Sequence, residues 1–171
     1  MRLRKLEFKD ADGMLNWMKD PAVIQFFRMT ADKATSESVS QFIMQAQNNE
    51  NDLHLAIVDE ADAYLGTISL KNIDKEAQNA EYAISTCSHV HGSGVAFEAT
   101  REVLRIAFED MKLKRVYLNV LDDNKRANRF YIKCGFTFEG CFRRHVCLRG
   151  ELKDLNWYGI LQEEYSHGKL K

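Results

Sequence analysis

The sequence predicts an α/β fold in which helices and strands form one mixed, layered structure. Amphipathic helical segments and β-rich runs are interleaved along the chain, and 45% of its 171 residues are hydrophobic while 29% are charged. This is the composition of an ordinary globular protein, and roughly 100 to 200 residues is the usual length of one domain. We therefore expect residues 1–171 to form a single domain with its own hydrophobic core.

The first third of the chain is predicted to contain a strand followed by three helices. The only proline, Pro21, lies between two apolar segments. Because proline suits the first turn of a helix and disfavours helix in the residue before it, we predict two short helices broken at Asp20. Residues 36–47 then place apolar side chains at helical spacing, and the polar residues 48–52 end this third helix.

Three β-rich runs come next and predict a meander. Residues 53–58 and 64–70 are joined by a short acidic loop, which indicates an antiparallel hairpin. A second polar break, residues 72–78, separates them from the third run at 80–86. The middle of the chain is therefore predicted to form adjacent strands of one sheet.

The second half of the chain alternates between helices and strands. The most strongly predicted helix covers residues 94–111, where charged and apolar side chains fall on opposite faces. Residues 115–120 then predict a strand and residues 127–134 a short helix. Two further strands are predicted at 136–142 and 154–161.

The charge balance excludes some classes of partner. Lysine and arginine number 24 against 25 acidic residues, so the net charge of −1 gives no reason to expect binding to nucleic acid or to an anionic membrane. The basic N-terminus lacks the apolar run of a signal peptide, and no stretch approaches the ~20 apolar residues of a membrane span. We therefore expect a cytoplasmic protein.

Metal-ligand patterns are absent from the sequence. The four cysteines have no C-x-x-C spacing, and the histidines are not spaced as ligands, so no metal site is expected. We expect free thiols, buried or half-buried, at Cys87, Cys134, Cys141 and Cys147.

The most informative segment is a glycine-containing stretch between the third meander strand and the best predicted helix. It reads His91-Gly92-Ser93-Gly94-Val95-Ala96. Glycine lets a backbone approach a ligand closely, and the free N–H groups and dipole of a helix N-terminus favour an anion such as a pyrophosphate. The segment is neither a dinucleotide fingerprint nor a P-loop, and by itself it is more typical of a tight turn.

A second motif favours the ligand-binding interpretation. Residues 124–136 read N-K-R-A-N-R-F-Y-I-K-C-G-F, which fits the pattern N-x-x-A-x-x-x-Y-x-K-x-G-F. This motif, preceded by a loop of the R-G-x-G-x-A type, resembles the GNAT superfamily of acyl-CoA-dependent N-acetyltransferases. Segments 66–70, 80–81, 138–140 and 154–161 extend the resemblance over nearly the whole chain. They resemble a branch that contains ribosomal-protein, polyamine and amino-sugar acetyltransferases.

The resemblance implies a GNAT-like fold and a cosubstrate. A mixed, mostly antiparallel central sheet would be flanked by helices and splayed between strands 80–86 and 115–121, so that acetyl-CoA, the acetyl donor, enters the gap. The backbone near Thr86 would pair with the pantetheine arm, and Asn124 would also touch the cosubstrate. The amides that would hold its pyrophosphate belong to Gly92, Ser93, Gly94, Val95 and Ala96.

His91 stands at the start of this loop, where the family usually has arginine or glutamine. An imidazole with a pKa near ~6.5 is mostly neutral at a pH of about 7.5, whereas an arginine stays charged. If the ring faces the CoA phosphates, acetyl-CoA should bind more tightly as the pH falls. If it faces solvent, the loop amides alone hold the anion.

The chemistry of acetyl transfer gives roles to two side chains. It needs a proton acceptor for the substrate ammonium, donors for the oxyanion and a proton donor for the leaving thiolate. The resemblance places Tyr131 beside the thioester sulfur as proton donor, and Glu81 as acceptor, directly or through water. The alternative interpretations are a core aromatic for Tyr131 and a solvated residue or substrate anchor for Glu81. No cysteine has the positioned base of an acyl-enzyme, so we expect direct transfer in a ternary complex.

The acceptor is expected to be a primary amine of a small molecule or peptide end. A nucleotide-linked amino sugar, a polyamine, a protein N-terminus and an antibiotic amine all fit. Candidate contacts on the first helices and the last hairpin are Trp17, Phe26, Phe27, Phe142, Arg143 and Trp157. Of these, Phe26 and Trp157 are more typical of core residues.

Two further expectations concern the class of protein and its assembly. The resemblance is compatible with a homodimer. The rival interpretation is a non-catalytic acyl-CoA-binding sensor or interaction module, which would keep the loop at 92–96 but could dispense with Tyr131 and Glu81. Acetyl-CoA binding without turnover of any amine would favour that module.

Overall fold

The computed structural model describes residues 1–27 and 33–166 of the chain. In these residues the helices are α1 (Ala11–Met18), α2 (Pro21–Ile24), α3 (Ser36–Asn48), α4 (Val95–Arg105), α5 (Lys125–Lys133) and α6 (Gln162–Ser166). The strands are β1 (Arg2–Lys5), β2 (Leu53–Val58), β3 (Tyr64–Asp74), β4 (Asn79–Thr86), β5 (Arg115–Leu121), β6 (Thr137–Leu148) and β7 (Glu151–Leu161). The end of α4 continues into a π-helical turn, Ile106–Asp110.

Side-chain caps explain where several of the predicted helices begin. The break at Asp20 is confirmed, because its carboxylate accepts a hydrogen bond of 2.9 Å from the amide of Ala22 and caps α2. Thr35 caps α3 in the same way. Asn124 caps α5, which therefore begins two residues before the predicted position. The five-residue helix α6 was not predicted.

The strands form one seven-stranded sheet in the order β1-β2-β3-β4-β5-β7-β6. Every neighbouring pair is antiparallel except β4 and β5, which are parallel. The prediction of a mixed, mostly antiparallel central sheet flanked by helices is confirmed.

The parallel pair β4–β5 opens into a gap. Its paired residues are Asn79–Arg115, Ala80–Val116 and Glu81–Tyr117. Beyond Glu81 and Tyr117 the register ends although both strands continue, to Thr86 and Leu121. The predicted splay is therefore present, with its apex at the Glu81–Tyr117 pair. Main-chain groups on the inner edges of the gap are left for a ligand to satisfy.

Helices cover the two faces of the sheet unequally. The main core lies between α4 and a face that we call the α4 face, which carries Ile57, Tyr82 and Leu118. A smaller core lies between α1, α3 and the opposite face, the α3 face, which carries Ala56 and Val58. Because side chains alternate along a strand, Glu81 lies on the α3 face.

The last hairpin is longer than predicted. The predicted strands 136–142 and 154–161 extend to a turn at Arg149 and Gly150, whose φ angles are 49° and 83°. A bulge interrupts β6, because Phe142 pairs with Leu155 but Val146 pairs with Lys153. Residues 143–149 lack the alternation of a half-buried strand, which is why the sequence did not reveal this extension.

The prediction of buried cysteines is only half correct. All four thiols are free, and Cys87 and Cys134 are buried. Cys141 and Cys147 are exposed, because they lie on β6, the outer strand of the sheet. Among residues 1–27 and 33–166, no helix is long and apolar enough to cross a membrane.

Candidate active site

The loop between β4 and α4, residues 91–96, has an open and unusual backbone. Gly92 and Gly94 have φ angles of 83° and 92°, and Gly94 is the N-cap of α4. Apart from its chain neighbours, no atom of residues 1–27 and 33–166 lies within 4 Å of the position where either glycine would carry a Cβ. The glycines are therefore required by the left-handed conformation, and they leave space beside the backbone for a ligand.

Several amides of this glycine loop are free to bind an anion. The hydroxyl of Ser93 donates to the carbonyl of Val90 at 2.7 Å, and the amide of Val95 donates to Ser93 Oγ at 3.3 Å. The described residues offer no acceptor to the amides of Gly92 and Gly94. The amides of Ser93 and Val95, which were also expected to hold the anion, are already bonded, to the carbonyl of Val90 at 3.2 Å and to Ser93 Oγ. With the remaining first-turn amides of α4 and its dipole, the amides of Gly92 and Gly94 fit a pyrophosphate.

His91, at the start of the loop, contacts a second basic residue. Its Nδ1 lies 3.0 Å from Nη1 of Arg126, on the first turn of α5. Burial, and then the charge of Arg126, lower the pKa of His91, whereas a hydrogen bond to the backbone of Thr86 and the charge of Asp20 act in the opposite direction. The guanidinium therefore donates to a neutral imidazole. Sequence analysis did not select Arg126, because the two residues are 35 positions apart.

Thr86 and Asn124 occupy the two sides of the gap. Thr86 ends β4 and pairs on its other side with Gly66 of β3. A Cβ on Gly66 would lie 2.5 Å from the carbonyl oxygen of Ser85, so this close pairing requires glycine. The side-chain oxygen of Asn124 accepts from the amide of Ala127 at 3.1 Å. Its amide nitrogen keeps its donors for another partner.

Tyr131 projects from α5 into an aromatic cluster on the α4 face. Its ring centroid lies 5.9 Å from that of Tyr82, 5.5 Å from Phe130 and 6.1 Å from Phe136. Burial raises the pKa of Tyr131 well above its usual value. The described residues include no hydrogen-bond partner for its hydroxyl, which therefore keeps its proton and remains free to donate it.

Glu81 lies at the apex of the gap and is already held by two side chains. Lys71 Nζ donates to its Oε1 at 3.0 Å, and Asn72 Nδ2 donates to its Oε2 at 2.9 Å. Tyr131 packs against Tyr82, the next residue on β4, whose side chain points to the other face. The structure thus places Glu81 and Tyr131 at the same level of β4, on opposite faces of the sheet.

Three aromatic rings extend from the apex across the α3 face, and we call them the aromatic row. Tyr117 stacks on Trp157 at 6.0 Å, and Trp157 packs against Phe142 at 5.3 Å. Phe142 is 50% exposed. Trp157 Nε1 is buried and has no hydrogen-bond acceptor among the described residues.

Two other residues that were predicted to contact the acceptor, Trp17 and Phe26, lie outside the aromatic row. Trp17 is buried, and its Nε1 donates to the hydroxyl of Tyr64 at 3.1 Å, which makes it a core residue. Phe26 was expected in the core, but it is 37% exposed. It lies at the end of the four-residue helix α2, which is too short to cover it.

Asn128 holds the gap open, and sequence analysis missed it. Its Nδ2 donates to the carbonyls of Leu121 at 2.9 Å and Asn124 at 2.8 Å. Its Oδ1 accepts from Asn156 Nδ2 at 2.9 Å and from the hydroxyl of Tyr158 at 2.8 Å. This buried amide fixes α5 to the end of β5 and the middle of β7. A lone asparagine in a polar helix gives no signal of such a role.

Comparison with known proteins shows which family the chain resembles. Residues 1–137 match the model of a family described as an acetyltransferase (GNAT) domain. The uncharacterised N-acetyltransferase p20 of Bacillus licheniformis is 27% identical over 172 residues, covering 97% of this chain and 95% of that protein. A spermidine N(1)-acetyltransferase of Vibrio cholerae is 29% identical over 110 residues, which are 64% of each chain.

Solved structures share the fold. The spermidine N-acetyltransferase of Vibrio cholerae in complex with CoA and spermine gives a TM-score of 0.88 at 22% sequence identity. The alignment covers 96% of this chain and 97% of that one. A chimera of the same enzyme with hSSAT also gives 0.88, at 23% identity. At sequence identities of 22% and 23%, these two comparisons establish a shared fold and nothing more.

Proposed function

Because the chain belongs to the GNAT acetyltransferase family, whose members are acyl-CoA-dependent N-acetyltransferases, we propose that it transfers acetyl from acetyl-CoA to a primary amine in a ternary complex. One observation carries the proposal: the gap between β4 and β5 has Glu81 at its apex on one face and Tyr131 on the other. A thioester and an amine that enter from opposite faces would meet in this gap.

The glycine loop and the inner edge of β4 would bind acetyl-CoA. The free amides of Gly92 and Gly94 and the first turn of α4 would hold the pyrophosphate. The main-chain groups near Thr86 that face the gap would pair with the pantetheine arm. Asn124, through its side-chain nitrogen, and Arg126, beside His91, are further contacts in this proposal.

Tyr131 would act as the general acid. The neutral amine attacks the thioester carbonyl, the nitrogen of the tetrahedral intermediate gives up its extra proton to solvent, and the carbon–sulfur bond then breaks. The departing thiolate then takes the proton of the Tyr131 hydroxyl. Since burial raises the pKa of Tyr131, its hydroxyl carries that proton at neutral pH, and the tyrosinate left after donation would regain a proton from solvent.

Glu81 would accept the proton that the substrate ammonium must lose. Lys71 and Asn72 of β3 fix its carboxylate beside the apex of the gap, where the amine would approach. Transfer could run directly or through one water molecule. The position of Glu81 beside the last β4–β5 pair is what supports this role.

An amine panel tests the proposal. Acetyl-CoA binding is measured by calorimetry, and CoA release is measured with a polyamine, amino sugars and a peptide with a free N-terminus. Acetyl-CoA should bind, and at least one of these amines should be turned over and recovered as its N-acetyl product. Binding with no product from any of these amines would contradict the transferase proposal and favour a sensor module.

A further inference from the structure

The carboxylate of Glu81 already holds an ammonium group that belongs to this chain. Lys71 Nζ lies 3.0 Å from Glu81 Oε1, and the two side chains are only 34% and 19% exposed. Lys71 and Glu81 are direct partners in the register of β3 against β4, so their side chains stand opposite each other on the α3 face. The sheet itself therefore sets this ion pair beside the apex.

A bulge in β3 supplies the second group that holds this carboxylate. The register shifts between Lys71 and Asp74, and Asn72 has a φ angle of 50°, a conformation that asparagine tolerates better than most residues. The amide of Asn72 donates to Asp52 Oδ1 at 2.7 Å, and its Nδ2 donates to Glu81 Oε2 at 2.9 Å. A carboxylate has about four acceptor positions, so this arrangement leaves room for a substrate nitrogen.

On the β2 side, the charge of Lys71 acts on a basic nitrogen of the chain. His54 Nδ1 lies 2.8 Å from Ser69 Oγ, and its Nε2 lies 3.8 Å from Asp52 Oδ2. Burial lowers the pKa of His54, the charge of Asp52 raises it, and the charge of Lys71 lowers it further. Lys71 thus favours the neutral form of a neighbouring basic nitrogen, as a nearby cation should.

On the β5 side, the titratable neighbours of Glu81 add no free charge. Burial, and then the charge of Glu81, raise the pKa of Tyr117, whereas Arg115 lowers it, so the hydroxyl is uncharged at neutral pH. Arg115 itself is paired with Glu139. Glu81 and Glu139 therefore each have a cationic partner, and neither leaves an uncompensated negative charge at the apex.

This charge balance affects the form in which an amine can bind. An aliphatic amine is mostly an ammonium ion at neutral pH, and an ammonium has no lone pair with which to attack a thioester. A carboxylate without a partner would stabilise that unreactive form. An ammonium bonded to the carboxylate of Glu81 would lie roughly 4 to 7 Å from Lys71 Nζ, where the like charge disfavours it.

We propose, on the basis of the function proposed above, that Lys71 makes the acceptor amine bind as its free base. Lys71 cancels the charge of Glu81 and repels the ammonium form, while Asn72 keeps the carboxylate in place. The ammonium gives one proton to Glu81, Glu81 passes that proton to solvent, and Lys71 keeps its own protons throughout. Lys71 is therefore a positioning residue that acts through its charge.

Two substitutions separate the charge of Lys71 from its hydrogen bond. Lys71→Gln keeps a donor for Glu81 but removes the charge, whereas Lys71→Arg keeps both. The pH dependence of kcat is measured at saturating acetyl-CoA with each of spermidine, glucosamine and trialanine that the wild type acetylates. In Lys71→Gln we expect the acid limb to move up by about one pH unit, with kcat about 10-fold lower near neutral pH and equal to wild type at about pH 10. Lys71→Arg should follow wild type.

Lys9→Gln is the matched control. Lys9 pairs with Asp62 at 2.6 Å and follows β1, which lies three strands from β4, so this variant should show the wild-type pH profile. Circular dichroism establishes that the variants are folded. An unshifted acid limb in Lys71→Gln, or a kcat that falls by the same factor at every pH, would overturn the inference and leave acetyl transfer intact. If the wild type acetylates none of the three amines, the proposed function fails and the inference fails with it.

Discussion

At the scale of single residues, the proposed chemistry depends most on the hydroxyl of Tyr131. Tyr131→Phe keeps the ring and its aromatic contacts but removes the proton donor. We expect kcat to fall about 10- to 10,000-fold with little change in acetyl-CoA affinity, because the lost interaction belongs to the transition state. Steady-state kinetics and calorimetry measure the two quantities.

Tyr165→Phe is the matched control for this experiment. Tyr165 donates a hydrogen bond of 2.7 Å to Glu109, at the end of α4 and away from the gap. The kcat of the Tyr165→Phe enzyme should stay close to that of wild type. A Tyr131→Phe enzyme with kcat within about twofold of wild type would return Tyr131 to a packing role.

The second residue-scale prediction concerns His91. Burial and Arg126 lower its pKa, so the free enzyme has a neutral ring at a pH of about 7.5. A phosphate facing the ring would favour the protonated form and raise that pKa, so binding would take up a proton. Acetyl-CoA affinity should therefore strengthen as the pH falls from about 8 to about 6, by up to about 1 kcal/mol.

His91→Gln separates this effect from titration of the ligand's own phosphates. Glutamine can still accept from Arg126, but it does not titrate. Dissociation constants of both proteins should agree near pH 8 and diverge towards pH 6, where wild type binds more tightly. Parallel pH profiles would show that the imidazole does not face the phosphates.

At the scale of elements, the glycine loop is predicted to bind acetyl-CoA through its backbone. Gly94→Val adds a branched side chain in a left-handed conformation, which displaces the loop and fills the space beside it. Acetyl-CoA binding should be lost in calorimetry. The control Gly150→Val introduces the same conformational strain in the hairpin turn, and this variant should still bind acetyl-CoA. Unchanged affinity in a folded Gly94→Val protein would remove the loop from the binding site.

The position of α5 depends on one buried asparagine. Asn128→Ala removes the side chain that joins α5 to β5 and β7 and leaves Tyr158 and Asn156 without their shared acceptor. We expect the free energy of unfolding to fall by about 2–4 kcal/mol. Asn124→Ala removes only a helix cap and should cost about 1 kcal/mol. Denaturant midpoints that rank the two variants in reverse would contradict this account.

Sequence patterns were sufficient for the elements that have strong local signals. The break at Asp20, the helix over α4 and the meander strands follow from capping, amphipathic spacing and β-rich runs. The extension of the last hairpin through Arg143 was missed, because a bulge destroys the alternation on which strand prediction relies. The exposure of Cys141 was misjudged for a related reason: its sequence neighbours do not reveal that β6 is an outer strand.

The candidate site was predictable only in part, for a physical reason. The glycine loop and the motif around Tyr131 lie in short continuous segments, so a resemblance could reveal them. The contact between His91 and Arg126 joins segments 35 positions apart, and the pairing of Glu81 with Lys71 depends on the register of β3 against β4. Neither pair has the fixed spacing that a sequence motif requires.

At the scale of the whole molecule, the proposed reaction is divided between the two faces of one sheet. The α4 face carries Tyr131, and the glycine loop lies at the start of α4. The α3 face carries Glu81 and the aromatic row. In this proposal the gap between β4 and β5 joins the two faces, so a donor and an acceptor would be bound at the same time. This geometry favours a ternary complex over an acetylated enzyme.

Initial rates measured while acetyl-CoA and the acceptor are both varied test this central claim most directly, together with the mass of the protein after exposure to acetyl-CoA alone. The account predicts intersecting double-reciprocal lines, an N-acetylated amine as product and a protein of unchanged mass. Parallel lines together with an acetylated protein would contradict direct transfer across the gap.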